Sequence, residues 1–523
     1  METPLTPLEF RRRARALYPD REAVVDGALR LSYRQFFGRC DRWSAALQRL
    51  GVVKGARVAY ISPNTHSLLE SFYGVPQIGA VLVPINFRLT PNEIEYIIQH
   101  SGATVVCAHA DYLETVDTVR ESCTDVKHFV ALEGAKDGWH DYEALLDAES
   151  ETFVSASIDE RDLLTINYTS GTTSRPKGVM ITHRNAYMNA VGTLVHLPMN
   201  CADRYLWTLP MFHANGWTFV WIVTAVGGTH VCLRKVDPVM AFGLIRDESV
   251  SMLCAAPTVL IGLATASPEL RGEIPSGVRV LTAGAPPAAA TIQRVEGEFG
   301  WDLTQVYGLT ETAPFITICE PRPEHNALTL EERSVIKARQ GVELITSGEL
   351  RVVDEQGEPV PTDGQKLGEI VVRGNVVMEG YYNDPNATEK AMRGGWFHSG
   401  DAAVVHPDGY VEIRDRFKDV IISGGENISS VEVEGILMRH PAVQEVAVVG
   451  MPDPKWGETP HAFVLCAADS EVTENELIAY AREHMAHFKV PSKIEFVSAL
   501  PKTATGKIQK YVLRRGQSAI SAQ

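Results

Sequence analysis

The sequence lacks paired cysteines, long apolar runs and an excess of basic residues, and each absence excludes a class of protein. Its eight cysteines are scattered, none forms a C-x-x-C pair, and most lie in apolar segments such as "SMLCAAP". Buried free thiols in a reducing compartment are therefore expected, without a disulfide framework or a cysteine metal site. No segment reaches the ~18 apolar residues that a membrane-spanning helix needs.

The charge balance argues against a nucleic-acid partner. The 523 residues include 49 basic and 65 acidic side chains, a formal net charge of −16, whereas a phosphate backbone requires a basic surface. A smaller anionic ligand would have to be met by local cations. The length predicts more than one domain, and 45% hydrophobic residues are typical of a globular protein.

The two ends of the sequence carry no targeting pattern that we recognise. No apolar run follows the arginines of "METPLTPLEFRRRARALYPD", and the last three residues, 521–523, are not a peroxisomal S-K-L signal. We expect a cytoplasmic protein with no membrane partner. The oligomeric state stays open, with a homodimer as one alternative.

Short apolar segments rich in Val and Ile alternate with segments of helical periodicity. Strands are predicted at residues 57–62, 80–85, 103–110 and 278–284, and a helix is predicted at 112–123. This alternation is typical of parallel sheets covered by helices, in which ligands bind at the carboxyl ends of strands. The segment 163–173, "LLTINYTSGTT", fits a strand that leads directly into a hydroxyl-rich loop.

The character of the sequence changes twice towards the carboxyl end. Residues 348–374 predict antiparallel strands around Gly/Pro turns. After about residue 420, strand-like segments surround "TENELIAYAREHM", an amphipathic helix with Thr473 as its cap. The whole predicts an α/β protein. Its large N-terminal domain contains parallel-rich sheets and a β subdomain, and a small mobile α+β C-terminal domain follows.

The loop "YTSGTTSRPKG" (168–178) combines hydroxyl groups, glycines and two cations, a composition suited to a polyphosphate. It fails the Walker A pattern, because Pro176 precedes the lysine and Gly178 follows it. Proline removes a backbone donor, and glycine supplies no hydroxyl for magnesium. On its own the loop fits a linker equally well.

Five further segments resolve this ambiguity: "PMFHANGW" (210–217), "YGLTE" (307–311), "GWFHSGD" (395–401), "DRFKDVIISGGEN" (415–427) and "TATGKI" (503–508). With the first loop, their order and spacing resemble the acyl-CoA synthetases of the adenylate-forming superfamily, over residues 20–515. The nearest resemblance is to the short- and medium-chain acyl-activating branch that includes 3-methylmercaptopropionate–CoA ligase. It implies an N-terminal AMP-binding domain, 1–417, and a mobile C-terminal domain, 418–523, with a hinge near Lys418.

The resemblance implies an AMP-forming acid–thiol ligase that uses ATP, Mg²⁺ and coenzyme A. A carboxylate would attack the α-phosphate to give acyl-AMP and pyrophosphate, and the thiol of coenzyme A would then displace AMP. Glu311 and Thr172 would hold Mg²⁺, since hard cations prefer oxygen ligands. The residues implied to bind ATP and AMP are Thr169, Ser170, Gly171, Thr172, Thr173, Lys177, Gly284, Ala285, Tyr307, Gly308, Thr310, Asp401 and Arg416.

Two residues are implied in catalysis. Lys507 would reach across the domain boundary to the carboxylate and the α-phosphate, where it would stabilise the charge of the transition state. His213 would lie against the substrate carboxylate and open the path for coenzyme A. On its own, Lys507 is more simply explained as an ordinary surface lysine, and the motif context reverses that preference.

The second half-reaction implies that the C-terminal domain turns about Lys418, withdrawing Lys507. The turn would bring the paired glycines Gly424 and Gly425 towards coenzyme A, whose thin pantetheine arm suits a close backbone approach. Lys235 and Lys489 are candidates for its phosphates, although solvated surface lysines are as good an explanation.

The aromatic segment 205–223 is expected to be partly core and partly acyl pocket. The predicted pocket walls are Trp207, Met211, Trp217 and Val220. Tryptophans that point inwards would crowd a long tail, which favours a compact acid: short to medium-chain, thioether or aromatic. One methylene changes binding by only ~1–3 kcal/mol, so several acids should be accepted.

Other functions remain open on the sequence alone. An enzyme that loads an amino acid onto a carrier protein would share the motifs, but His213 stands where such relatives carry an aspartate for the α-amine. A luciferase-like oxygenase would also share them. A non-catalytic nucleotide-binding regulator is disfavoured by the intact Lys507, Glu311 and Asp401. A phosphotransferase would release ADP instead of AMP and pyrophosphate.

Overall fold

Parallel strands joined by helices dominate the larger part of the chain, as the alternating apolar segments predict. The computed structural model describes residues 1–169, 175–284, 287–424, 426–467, 470, 472–502 and 508–514. Over these residues it has two large sheets, one antiparallel sheet and a smaller sheet near the carboxyl end. The expected α/β class, with an additional β region and a small α+β region, is confirmed.

The first large sheet combines amino-terminal strands with strands from the middle of the chain. In spatial order its described strands are β16 (Val342–Glu343), β15 (Phe315–Ile318), β14 (Asp302–Gly308), β13 (Arg279–Thr282), β12 (Met252–Ala255), β10 (Arg204–Leu206), β11 (Thr229–Val231), β1 (Glu22–Asp26) and β2 (Leu29–Ser32). From β14 to β1 the neighbours are parallel, whereas β2, β15 and β16 are antiparallel additions. The carboxyl ends of β13 and β14 therefore meet at one edge of the sheet.

The second large sheet contains the strand that leads into the hydroxyl-rich loop. In spatial order its described strands are β19 (Gly380–Tyr381), β9 (Lys177–Thr182), β8 (Leu163–Thr169), β4 (Val81–Ile85), β3 (Arg57–Ile61), β5 (Ala103–Ala108), β6 (His128–Ala131) and β7 (His140–Asp141). The strands β8 and β9 are antiparallel, with Thr169 opposite Lys177. The predicted phosphate loop therefore begins and ends on paired strands.

Two smaller sheets follow. The third is antiparallel and contains β17 (Glu349–Val353), β18 (Gly368–Arg373), β20 (Phe397–Val405) and β21 (Val411–Arg416). The fourth contains β23 (Glu426–Ile428), β22 (Ile421–Ser423), β25 (Gly457–Cys466), β24 (Val443–Asp453) and β26 (Lys493–Phe496). Sheet membership changes between Arg416 and Ile421, on either side of Lys418. We call the part of the chain up to Arg416 the large lobe and the part from Ile421 the small lobe.

Helices connect and cover these sheets. The described helical segments are α1 (Leu8–Leu17), α2 (Tyr33–Arg49), α3 (His66–Gly74), α4 (Pro91–Ser101), α5 (Leu113–Asp117), α6 (Tyr142–Asp147), α7 (His183–His196), α8 (Ala214–Trp217), α9 (Phe219–Val226), α10 (Pro238–Asp247), α11 (Pro257–Thr265), α12 (Pro268–Arg271), α13 (Ala289–Phe299), α14 (Leu330–Lys337), α15 (Pro385–Ala391), α16 (Ser430–Leu437), α17 (Glu474–His484) and α18 (Lys510–Arg514). Thr473 caps α17 reciprocally with Glu476, as predicted.

The helix predicted at residues 112–123 is shorter than its periodicity indicates. The α-helix ends at Asp117, and a separate 3₁₀ turn covers Arg120–Ser122. The Thr118 hydroxyl donates to the Thr115 carbonyl at 2.7 Å. Such local side-chain bonds offer the backbone an alternative to helical pairing, which is why a favourable apolar pattern does not extend the helix here.

The main apolar core joins both large sheets through the helices between them. It includes side chains of β3 and β4 from the second sheet, β1 and β10 from the first, and the helices α2, α3 and α9. Phe72 of α3 packs edge-on against Trp221 of α9, with ring centroids 6.1 Å apart. Among the described helices none is long and apolar enough to cross a membrane.

One buried amide fixes the corner between the two large sheets. Asn64 follows β3, and its Nδ2 donates to the carbonyls of Trp207 and Leu209 at 2.8 and 3.0 Å. The backbone N–H of Met211 donates back to Asn64 Oδ1 at 2.8 Å. Asn64 therefore attaches the start of the segment that carries the predicted acyl pocket to the end of β3.

We expect Asn64→Ala to destabilise the protein by at least about 2 kcal/mol, because it leaves buried backbone groups without partners. The measurement is the shift of the first unfolding transition in urea. Asn92→Ala, on the exposed first turn of α4, is the matched control and should change stability by less than about 0.5 kcal/mol. Equal midpoints for Asn64→Ala and the unaltered protein would contradict this role.

Candidate active site

Three residues predicted to bind the nucleoside come into direct contact although they belong to distant segments. Tyr307, near the end of β14, donates its hydroxyl to Asp401 Oδ2 at 2.7 Å. Arg416 Nε lies 3.1 Å from Asp401 Oδ1, since β20 and β21 place the two residues opposite each other. Asp401 is buried, and its negative charge raises the pKa of Arg416. Burial, followed by the neighbouring Asp401 charge, raises the pKa of the Tyr307 phenol.

The predicted phosphate and metal residues form a second group. Glu311 lies in a 3₁₀ turn with Thr310, directly after the strand that carries Tyr307. Its Oε1 accepts a hydrogen bond from Tyr381 at 2.9 Å. The Lys177 ammonium lies over the ring of the same tyrosine, 4.8 Å from its centroid. One side chain therefore connects the predicted magnesium ligand with the predicted phosphate-binding lysine.

These two groups belong to one region of the large lobe. The negative charges of Asp401 and Glu311 both act on Arg416 and raise its pKa. Arg416 in turn acts on the Tyr381 phenol, whose pKa is raised first by burial and then by Glu311. The two groups therefore lie close enough for their charges to act on one another.

Tyr381 is a functional candidate that the sequence did not reveal. It lies in "GYYNDP", a segment without an evident chemical pattern. Its position depends on β19, whose Tyr381 pairs with Val179 of β9, about two hundred residues earlier in the chain. The sequence pattern that could have indicated Tyr381 is a pair of aromatic residues directly after a glycine. That pattern is too common in proteins to identify a functional site.

Two predicted glycines stand where backbone comes close to other groups. Gly308 ends β14, and a Cβ atom there would lie 1.9 Å from the Pro314 carbonyl oxygen, so only glycine fits. Gly284 follows β13 with a φ of 91°, in the left-handed region that glycine adopts without strain.

Seven predicted site residues lie outside the described residues: Ser170, Gly171, Thr172, Thr173, Ala285, Gly425 and Lys507.

The donor set at Glu311 fits a hard cation in part. One carboxylate oxygen is oriented by Tyr381, and the neighbouring Thr310 carries a hydroxyl, so both residues offer oxygen donors of the kind that Mg²⁺ prefers. A different acidic group, formed by Asp26, His66 and Glu133, also has ligand atoms within 4.8 Å of one another. Arg234 lies within ion-pair distance of both of its carboxylates, so we interpret that group as an ion-pair network.

His213 stands at the start of an unusual left-handed turn. The segment α8 and the residue after it have positive φ values at Ala214 (44°), Asn215 (50°), Gly216 (55°), Trp217 (50°) and Thr218 (67°). A left-handed turn costs residues other than glycine about 1–2 kcal/mol each. The Gly216 N–H donates to the His213 carbonyl at 2.9 Å, which ties the turn to the predicted catalytic histidine.

The predicted pocket residues surround this turn but have almost no exposed surface. Trp207, Met211 and Val220 are 0% exposed, and Trp217 is 4% exposed. Trp217 packs edge-on against Phe315 of β15, with ring centroids 5.8 Å apart. A pocket bounded by these side chains is closed in this conformation, and Trp217 is the member of the four that has any exposed surface.

Trp207 contacts His230, a buried histidine that the sequence analysis did not identify as a candidate. Its indole N–H donates to His230 Nδ1 at 3.2 Å, and the two rings are nearly parallel. Burial lowers the pKa of His230 to about 3, so the ring is neutral. The Thr224 hydroxyl lies 3.1 Å from the other ring nitrogen. A Cβ atom on Gly216 would lie 2.5 Å from the Trp207 ring, so the turn rests directly on the indole.

The predicted coenzyme A and hinge residues lie in both lobes. Lys235 is exposed between β11 and α10, whereas Lys489 pairs with Glu432 of α16 at 2.7 Å. Gly424 donates its N–H to the Trp456 carbonyl at 2.8 Å, and its Cα faces the Trp456 ring. Lys418 lies in the connection between the third and fourth sheets, where its carbonyl accepts from Arg514 at 3.1 Å.

A large lobe with two parallel-rich sheets, followed by a small lobe with its own sheet, is the architecture of the adenylate-forming enzymes. A model described as AMP-binding enzyme matches residues 10–382, and one described as AMP-binding enzyme C-terminal domain matches residues 432–507. The chain belongs to the AMP-binding enzyme family. The resemblance found in its motifs is therefore confirmed.

Similar proteins cover nearly the whole chain. The chain is 45% identical to 4-hydroxybutyrate–CoA ligase 2 of Metallosphaera sedula, over 98% of this chain and 95% of that one. It is 39% identical to the peroxisomal trans-cinnamate:CoA ligase of Petunia hybrida, over 98% and 94%. Its fold resembles the crystal structure of the anthranilate CoA ligase AuaEII with anthranoyl-AMP, with a TM-score of 0.88, 25% identity and 99% coverage of both chains.

We expect Tyr381→Phe to weaken Mg²⁺ binding to the enzyme–nucleotide complex roughly 10-fold. The variant keeps the ring beneath Lys177 but removes the hydroxyl that orients Glu311, and loss of such supporting contacts typically weakens metal binding by about 10–100-fold. Calorimetric titration of Mg²⁺ into the enzyme with a non-hydrolysable ATP analogue measures this effect without turnover.

Tyr382→Phe is the matched control, because Tyr382 is the next residue and its ring faces His100. It should leave the metal affinity within about 2-fold of the unaltered enzyme. Equal metal affinities for Tyr381→Phe and Tyr382→Phe would remove Tyr381 from the metal site.

Proposed function

We propose that this enzyme is an acid–CoA ligase that forms acyl-AMP and then acyl-CoA. The observation that carries the proposal is the contact of Tyr307, Asp401 and Arg416 beside the group of Glu311, Tyr381 and Lys177. The first group suits a nucleoside and the second suits its phosphates. The three similar proteins described above are named as CoA ligases, which supports coenzyme A as the acceptor.

The nucleoside would be held by Asp401 and Tyr307. A carboxylate offers about four acceptor positions, and Tyr307 and Arg416 use one on each oxygen, so two remain for the ribose hydroxyls. The ring of Tyr307 would stack on adenine, with Gly284 and Ala285 close to its edge. Arg416 would remain beside the ribose, balancing the buried charge of Asp401.

The triphosphate would lie along the paired ends of β8 and β9. Thr169 and the hydroxyl loop that follows would donate to its oxygens, and Lys177 would neutralise charge. Bound Mg²⁺ would supply further charge neutralisation on the phosphates, with Glu311 as its protein ligand. Thr172 and Thr310 would be the neighbouring oxygen donors. Tyr381 would keep the Glu311 carboxylate in one orientation.

In the first half-reaction a carboxylate oxygen of the acid attacks the α-phosphorus, and the bond to pyrophosphate breaks. Lys507, delivered by the small lobe, would stabilise the charge on the attacking carboxylate and the α-phosphate. In the second half-reaction the sulfur of coenzyme A attacks the acyl carbon, AMP leaves and the thiol proton passes to solvent. His213 would border the acyl group throughout.

Between the half-reactions the small lobe would turn about Lys418, with domains at 1–417 and 418–523. The change of sheet membership between Arg416 and Ile421 supports a hinge there. Gly424 and Gly425 would then border the pantetheine arm. Lys489 would have to leave Glu432 before it could bind a phosphate, and Lys235 would meet coenzyme A from the large lobe.

The substrate is expected to be a compact acid: short to medium-chain, thioether or aromatic. The closed, aromatic surroundings of the left-handed turn support this class. The relatives are named for 4-hydroxybutyrate, which is a short-chain acid, and for trans-cinnamate, which is an aromatic acid. Both acids belong to the expected class.

The test is a panel of acids with ATP, Mg²⁺ and coenzyme A: acetate, butyrate, 4-hydroxybutyrate, decanoate, benzoate, cinnamate and 3-methylthiopropionate. We expect AMP, pyrophosphate and a thioester in equal amounts for at least one compact acid. Release of ADP would contradict the proposal and indicate a phosphotransferase. Acyl-AMP that accumulates and never forms a thioester would indicate a different acceptor, such as a carrier protein.

Lys507→Ala separates the two half-reactions in the same assay. We expect acyl-AMP formation to fall by about 10²–10³-fold, while thioester formation from supplied acyl-AMP is largely retained. Equal losses in both half-reactions would show that Lys507 does not act specifically in adenylation.

Trp217→Ala should shift the preference towards bulkier acids. Removing the indole that packs on Phe315 opens space next to the turn, and we expect the ratio of kcat/KM for cinnamate to that for acetate to rise about 10-fold. Trp217→Phe retains an aromatic ring there and is the matched control. An unchanged acid profile for Trp217→Ala would exclude this residue from the pocket.

A further inference from the structure

Three buried polar side chains form a closed ring of hydrogen bonds beside the left-handed turn. Asn215 Nδ2 donates to the Thr165 hydroxyl at 2.8 Å, and that hydroxyl donates to Asn167 Oδ1 at 2.8 Å. Asn167 Nδ2 closes the ring by donating to Asn215 Oδ1 at 3.0 Å. The three residues are only 1–3% exposed, so water does not compete for these bonds.

The ring joins two segments that carry different parts of the candidate active site. Thr165 and Asn167 are alternate residues of β8, which ends at Thr169 where the phosphate loop begins. Asn215 lies in α8, two residues after His213. Asn167 Nδ2 also lies 3.3 Å from the carbonyl oxygen of Phe212, the residue before His213. The predicted carboxylate-binding residue is thus fixed to the predicted phosphate-binding strand.

The turn depends on such external contacts because its backbone is unfavourable for most of its residues. Ala214, Trp217 and Thr218 adopt positive φ values that have no local sequence signal. Asparagine tolerates the left-handed region better than other residues with a Cβ atom. Both polar atoms of the Asn215 amide are used by the ring, which selects one orientation of the side chain and one path for the turn.

We propose that Thr165, Asn167 and Asn215 act as positioning residues that set the distance between His213 and Thr169, the last residue of β8. The three side chains are buried, so the role we assign to them is positional and not catalytic. Its role rests on the proposed acid activation: breaking the ring should impair the alignment of the acid with the α-phosphate, while the nucleoside group at Asp401 remains intact.

Thr165→Val is the first test, because valine keeps the shape of threonine and its preference for a strand. The substitution removes the hydroxyl and leaves Asn215 Nδ2 and Asn167 Oδ1 unpaired. We expect kcat/KM for the best acid of the panel to fall about 10-fold in acyl-AMP formation. The KM for ATP should stay within about 2-fold, because the nucleoside group does not involve the ring.

Thr165→Ser is the matched control, since serine keeps the hydroxyl and loses a methyl group. It should recover most of the acid kcat/KM. Asn215→Asp keeps the tolerance for the left-handed region, replaces the amide donor by a carboxylate oxygen and adds a buried charge, so we expect a loss at least as large as that of Thr165→Val. If Thr165→Ser is as impaired as Thr165→Val, the packing of residue 165 matters and the ring does not, which overturns the proposal.

Hydrogen exchange gives a readout that does not depend on activity. The backbone amides of residues 212–218 should exchange faster in Thr165→Val than in Thr165→Ser and the unaltered enzyme. Unchanged exchange overturns the proposal whether or not the protein is a CoA ligase. Failure of the unaltered enzyme to activate any acid would instead overturn the proposed function, while faster exchange would still support the ring.

A merely structural effect would follow a different pattern. If Thr165→Val raises the KM for ATP and the KM for the acid equally, and both changes track a loss of thermal stability, the ring only stabilises the fold and the positioning role is wrong. A selective loss for the acid, with unchanged binding of a non-hydrolysable ATP analogue, supports it.

Discussion

The buried charge of Asp401 is the constraint on which the candidate site depends. A carboxylate removed from water is costly unless it is hydrogen-bonded and paired with an opposite charge. Here the Tyr307 hydroxyl donates a hydrogen bond to one Asp401 oxygen, and the Arg416 guanidinium forms an ion pair with the other. Because Tyr307 belongs to the first large sheet and Asp401 to the third, satisfying one charge also fixes the orientation of one sheet against the other. The surface on which a nucleoside would lie follows from that requirement.

The sequence predicted the parts of this arrangement that depend on local pattern. Strand-forming segments, the cap at Thr473 and the motif residues around Tyr307 and Asp401 could be recognised in one stretch of chain at a time. Tyr381 could not, because its contact with Glu311 exists only through the pairing of β19 with β9. The left-handed turn was hidden for a similar reason: Asn215 and Gly216 permit it, but Ala214 and Trp217 follow only because tertiary contacts hold them.

The contacts around Lys418 divide into two sets with different consequences for a turning small lobe. Arg514 binds the Lys418 carbonyl and the Asp419 carboxylate, and all three groups stand at or beyond the proposed hinge, so they would move together. Asp415 lies before the hinge and accepts from the Ser430 N–H at 2.8 Å. The Ser430 hydroxyl also donates to Asp415, and the Ser429 hydroxyl donates to the Arg414 carbonyl. A turn about Lys418 would have to break these bonds. A hydrogen bond to a charged group is worth about 1.5–3 kcal/mol, a bias that differential binding of substrates could overcome.

Buried amides solve a problem that the apolar core cannot. Apolar contacts supply most of the stability, but they are not directional, so a core shared by two sheets leaves their relative sliding weakly determined. Asn64 fixes the segment at Trp207 to the second sheet, and Asn167 fixes the turn at Asn215 to it from the other side. Asn189 of α7 donates to the Phe315 carbonyl at 2.7 Å and holds the strand against which Trp217 packs. In each case a buried polar group would be left unsatisfied by a small displacement. The cost of that displacement therefore opposes movement of the segments that these amides join, and of the site residues that those segments carry.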